Sequence, residues 1–175
     1  MKYNELISRS KFILLENVDS SNNFSLRNIF SYGAKWMYDE LNKLENKNIA
    51  FNFSTNYTLY GILKYSICAV AMIFSSILFF KINPILVPFS ILIFYFFEVH
   101  FLFLFPILID NIKNPIRTSI RQTYKIGVLK LAWIVIPIAC FMIAGLFSLK
   151  NPFRNWYIGC LAILLYYQDE VRNRI

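Results

Sequence analysis

Apolar residues in this chain gather into long unbroken stretches separated by short polar turns, and the first fifty-odd residues are patterned differently. Residues 58–80, 82–109 and 126–147 are each long enough, as helices, to cross the hydrocarbon core of a bilayer. A fourth stretch, 153–167, opens with Arg154 and Asn155 and is shorter. Asn83-Pro84 between the first two stretches leaves room only for a tight turn, so they form an antiparallel hairpin, with proline accommodated at the start of the second helix. A further turn, 148–152, joins the third stretch to the fourth.

Ahead of these lies a polar arm, residues 1–57. A loop is expected at 19–23, followed by a helix capped by Ser25 and ending near Leu44. Leu26, Ile29, Phe30, Trp36, Met37, Leu41 and Leu44 recur at three- and four-residue spacing and give this helix one apolar face. Trp36 and Tyr38 suit a headgroup boundary. Periodicity alone serves a helix lying on lipid and one packed on the protein's own bundle equally well. Between the second and third stretches, Lys113, Arg117, Arg121 and Lys125 fall every fourth residue after Asn114-Pro115. Ile116, Ile120 and Tyr124 run beside them as a parallel apolar stripe, so a short cationic amphipathic helix at the membrane surface is expected.

Composition agrees with this reading. The 175 residues are 57% hydrophobic, with 18 Phe and 11 Tyr, more apolar than an ordinary soluble domain. The expected fold is therefore all-α: a polytopic integral membrane protein of four transmembrane helices. Its cytoplasmic amphipathic arm covers residues 1–57, its membrane domain 58–168 and its tail 169–175. No early apolar run resembles a secretory signal, so the first span is expected to serve as an uncleaved targeting segment.

The net charge of +8 sets the orientation. Placing the arm in the cytoplasm puts Lys64, the basic loop, Lys130, Arg172 and Arg174 on that side and leaves Lys81, Lys150 and Arg154 on the other. Both termini then lie inside, and the default location is a bacterial cytoplasmic membrane. Cys68, Cys140 and Cys160 all sit in apolar runs, an odd set that suits packing better than a disulfide framework.

Candidate chemistry centres on Glu98-Val99-His100, in the middle of the second span and holding the chain's one histidine. A carboxylate at that depth must be protonated, hydrated or paired. Lys64 and Lys130 enter from the cytoplasmic side as candidate partners. His100 is rotated by roughly 200° from Glu98 on a regular helix, so the two point to nearly opposite faces. Pro106 loosens the turn at Leu102 without bringing them together, which argues against an acid–base dyad. A haem or chlorin ligand at His100 would be expected to have a second histidine at matched depth, which the chain lacks. A neutral histidine bonded to a neighbouring helix is the simpler expectation, with no cofactor and no metal.

Lys113, Arg117, Arg121 and Lys125 suit anionic headgroups or phosphate, although their role as a topology determinant under the positive-inside rule is the simpler account. Nucleotide loops, nucleophile elbows and zinc-protease motifs do not occur, and a short basic stripe at a membrane gives no support for nucleic acid. The expectation is a non-catalytic subunit or scaffold of a membrane complex, with the bilayer and other membrane proteins as partners. The alternative is a small transporter or lipid-modifying enzyme using Glu98, His100 and the basic loop.

Overall fold

A computed structural model describes residues 3–16, 29–45, 51–52, 54–147 and 154–172. The expected loop at 19–23, the Ser25 cap, the turn at 148–152 and the end of the tail lie outside the described residues. Among those described the chain is all-helical, and three helical segments are long and apolar enough to cross a membrane: Tyr57–Ile82, Pro84–Ile109 and Val128–Leu146. The helices group into two compact units, one of Asn52–Ala132 and one of Met1–Phe51 with Trp133–Ile175.

The unit of Asn52–Ala132 is built on the predicted hairpin. Helix α3, Tyr57–Ile82, begins where the Asn56 side chain accepts from the Leu59 amide. It buries one narrow stripe, including Gly61, Lys64, Cys68 and Ser75. Small residues on that stripe let the neighbouring backbone approach closely. Asn83 ends α3 and caps the segment after it, its side chain accepting from the Ile85 amide at 3.0 Å. The returning limb of the hairpin starts as a 3-10 segment, Pro84–Phe89, with Pro88 inside it. It continues as α4, Ser90–His100, which packs on α3. At the far end Asn52, ahead of α3, donates to Asn111, just past the hairpin, at 2.7 Å.

One continuous helix over 82–109 is not what forms. Helix α4 stops at His100, residues 101–103 turn, and α5 resumes over Leu104–Ile109. The cause is Pro106, which has no N–H and whose ring crowds the carbonyl four residues back, at Leu102. The chain answers with tighter bonds, the amides of Phe101 and Leu102 donating to the carbonyls of Glu98 and Val99.

Asn111 and Asn114 then take left-handed conformations, φ 54° and 55°, which asparagine tolerates better than most residues. They turn the chain into α6, Pro115–Ile126, with Pro115 in its first turn. Asn114 gives no side-chain cap, in contrast to the expectation from Asn-Pro. Gly127, at φ 101°, ends α6, and α7 runs over Val128–Leu146 with Pro137 inside it. A side chain at position 127 would be strained in that conformation.

The other unit is organised around α8, Arg154–Glu170. This helix covers the fourth predicted stretch, and it is buried on nearly every side, Leu161, Ala162, Leu165 and Tyr167 completely so. Helix α1, Tyr3–Glu16, packs along it through Leu6, Ile7 and Ser10, and Arg9 bonds Asp169 at 2.9 Å. Helix α2, Ile29–Glu45, also packs on α8, with Trp36 5.3 Å from Tyr157. Tyr166 and Tyr167, whose place at the end of an apolar stretch suits interfacial anchors, are core residues instead, because the arm covers the helix that carries them. Helix α7 meets α8 closely, with Asn155 donating to the Phe141 carbonyl at 3.2 Å. A Cβ on Gly145 would collide with that of Asn155.

Candidate functional site

The hairpin brings two of the predicted residues together. Lys64 lies two turns into α3, on its buried stripe, and Glu98 lies on the facing side of α4. Lys64 Nζ is 2.7 Å from Glu98 Oε1, a contact that is both a hydrogen bond in geometry and an ion pair. The lysine is 5% exposed and the carboxylate side chain 15%, so the pair is shielded from solvent by protein. Buried charges persist only when compensated, and here each supplies the other's compensation. The second carboxylate oxygen, Oε2, is buried without a hydrogen-bond partner among the described residues. The Lys64 ammonium also sits 5.1 Å from the Tyr65 ring centroid, which adds cation–π attraction. Lys130, the other candidate, is exposed near the start of α7.

His100 turns to different neighbours, as its rotation from Glu98 predicts. Its Nδ1 donates to the Phe96 carbonyl at 2.6 Å, one turn back on its own helix. In the neutral ring Nε2 is then an acceptor, and the Tyr124 hydroxyl of α6 lies 3.4 Å from it. The imidazole packs tilted on Phe96, centroids 4.7 Å apart, and edge-on to Tyr124. Only 8% of His100 is exposed.

The bonds that hold α6 in place are polar. Ser119 Oγ donates to the His100 carbonyl at 3.0 Å, and Thr123 Oγ1 to the Val99 carbonyl at 3.1 Å. The break after His100 strips these carbonyls of regular helical partners, and two hydroxyls one turn apart on α6 replace them. Thr118, Ser119, Gln122 and Thr123 are accordingly buried. Ile116 and Ile120 are half-buried and Tyr124 is exposed, so the inward face of α6 is its polar one. The signal for this lies in the sequence: hydroxyl residues at i and i+4, opposite a proline-broken span.

With that face inward, Lys113, Arg117, Arg121 and Lys125 all point outward and are exposed. Arg117 and Arg121 line an open groove of about 740 Å³ with Asn114, Pro115, Ile116, Ile120 and, from α3, Tyr60. Lys113 and Lys125 do not line it.

The chain matches no protein-family model, no curated protein and no solved structure. Its function must be read from its own residues.

No cluster of three or more His, Cys, Asp or Glu side chains that could hold a metal occurs among the described residues. Cys68, Cys140 and Cys160 form no disulfide among the described residues, and Cys68 is buried on the stripe of α3 that carries Lys64. Three polar arrangements stand out in the hairpin: an ion pair, a histidine tied to its own helix, and two carbonyls capped by hydroxyls. Each arrangement satisfies groups that the membrane would otherwise leave costly.

Proposed function

We propose that this chain is a non-catalytic integral membrane subunit or scaffold of a larger membrane complex. The observation that carries the reading is the Lys64–Glu98 pair. The carboxylate that would have served transport or catalysis is already neutralised within the hairpin, by a lysine one helix away. A second feature supports it. Only 11% of the apolar window of α3 is buried, and Val70, Phe74, Ile77 and Phe80 are among the side chains left outward. That face is available to lipid and to the helices of other membrane proteins.

The proposed topology is four crossings with both termini in the cytoplasm of a bacterial cell, α8 being the fourth. The charge bias across the spans supports it. Single cysteines at Asp39 and Asp169, in a background without native cysteines, are expected to react with an impermeant maleimide only from the cytoplasmic face. Labelling of position 169 from outside would contradict this topology.

Purification in mild detergent, followed by mass measurement, tests the subunit reading. A partner protein is expected in fixed ratio; a monodisperse monomer would contradict the proposal. The competing reading is a small transporter or lipid-modifying enzyme, and it draws on Glu98 Oε2, buried without a partner among the described residues. The charge-free double variant K64M/E98L separates the two, because it leaves no unpaired ion behind. Loss of a transport or turnover activity at normal expression supports the competing reading, and retained complex assembly supports the subunit.

A further inference from the structure

The groove between α6 and the first turns of α3 has a composition that the scaffold reading leaves unused. Its walls are Tyr60, Pro115, Ile116 and Ile120, and its charged members are Arg117 and Arg121. The two guanidiniums stand one turn apart on the same helix, and neither forms an ion pair among the described residues. Their direction is fixed rather than incidental. The bonds from Ser119 and Thr123 to the carbonyls of His100 and Val99 set the roll of α6, which leaves both arginines outward. The groove also lies at a defined level. It adjoins the end of the hairpin where α3 begins and α5 stops, an end closed by the Asn52–Asn111 bond. For two membrane-length segments that end is the headgroup region.

From these placements we infer that the groove is a binding site for one anionic glycerophospholipid, phosphate on Arg117 and Arg121 and upper acyl chain along Ile116, Ile120 and Tyr60. Planar guanidiniums bind phosphate oxygens through paired, charge-assisted hydrogen bonds. The apolar wall distinguishes this site from a bare basic patch, because a free anion gains nothing from it. The volume, about 740 Å³, accommodates a headgroup with the first part of its chains and not a whole lipid, whose remaining tail stays in the bilayer.

The test uses the full chain in lipid nanodiscs of phosphatidylcholine with a minor fraction of phosphatidylglycerol, reading the lipid retained after detergent extraction by native mass spectrometry. Retained phosphatidylglycerol is expected to exceed its share of the mixture. R117Q/R121Q is expected to lower that enrichment at least about tenfold at low salt, through loss of the charge-assisted bonds to phosphate. K113Q/K125Q removes the same charge from the same helix outside the groove. It is expected to leave most of the enrichment in place. Equal loss in the two double variants would overturn the site, since only surface charge would then be acting. Displacement of the lipid by millimolar inorganic phosphate would also overturn it, as an anion site indifferent to the acyl chain. Ile120→Ser supplies a third readout: reduced phosphatidylglycerol retention supports the proposal, and unchanged retention contradicts the apolar wall. All variants must elute as the parent does, which excludes misfolding as the cause of a loss.

Discussion

Lys64 Nζ and Glu98 Oε1 stand 2.7 Å apart on facing helices of one hairpin, both largely withdrawn from the surface. Taking either one away leaves the other as an uncompensated buried charge. Lys64→Met and Glu98→Leu, made singly, are each expected to cost about 3–5 kcal/mol of stability. Denaturant unfolding in mixed micelles reads the loss. A change below about 1 kcal/mol in both would mean that the two groups are hydrated independently, as exposed pairs are.

The hydroxyl caps lead to an inverted order of mutational costs on α6. Thr123→Val keeps the shape of the side chain but removes the donor to the Val99 carbonyl, and Ser119→Ala does the same at His100. Ser119→Ala is expected to cost about 1–3 kcal/mol, the penalty of a buried carbonyl left unsatisfied, and Thr123→Val about 1 kcal/mol, because the Val99 carbonyl keeps the Leu102 amide. Ile120→Ser, on the half-buried stripe, is expected to cost less than either. A hydrophobic-stripe-inward helix would give the opposite ranking, so one set of unfolding curves decides between the two.

That inversion marks the boundary of what is legible in the sequence. Spans can be found from hydropathy because a membrane-length apolar run is a local property, and the three segments lie within a few residues of where the pattern puts them. The need of Glu98 for a partner is equally legible, since a charge at depth demands one. Choosing Lys64 over Lys130 is not, because it depends on the register of α3 against α4, which no single stretch encodes. The roll of α6 escapes the pattern for a related reason. Its apolar stripe is conspicuous, while the demand for Ser119 and Thr123 arises about twenty residues away, where Pro106 breaks the span. Tyr166 and Tyr167 look interfacial in the sequence because their cover, the arm, is distant along the chain.

Two helical glycines offer a contrast within the other unit. A methyl group on Gly145 of α7 collides with the Asn155 Cβ of α8, an atom next to the backbone that cannot swing away. Gly145→Ala is expected to lose about 1–3 kcal/mol through forced separation of the two helices. Gly33 of α2 meets nothing within 4 Å, so Gly33→Ala is expected to gain roughly 0.5–1 kcal/mol from helix propensity alone. Opposite shifts in melting temperature check both; shifts of one sign would contradict the close approach of α7 and α8.

The central claim is that the polar groups in the hairpin hold the structure rather than perform chemistry, and the double variant K64M/E98L tests it most directly. With both charges gone and the volume roughly kept, no unpaired ion remains. The variant is predicted to be more stable than either single substitution, with a coupling energy of at least ~2 kcal/mol, and to be recovered in the same membrane assembly as the parent. Additive losses, or restored stability together with loss of the protein's activity in the membrane, would contradict the account.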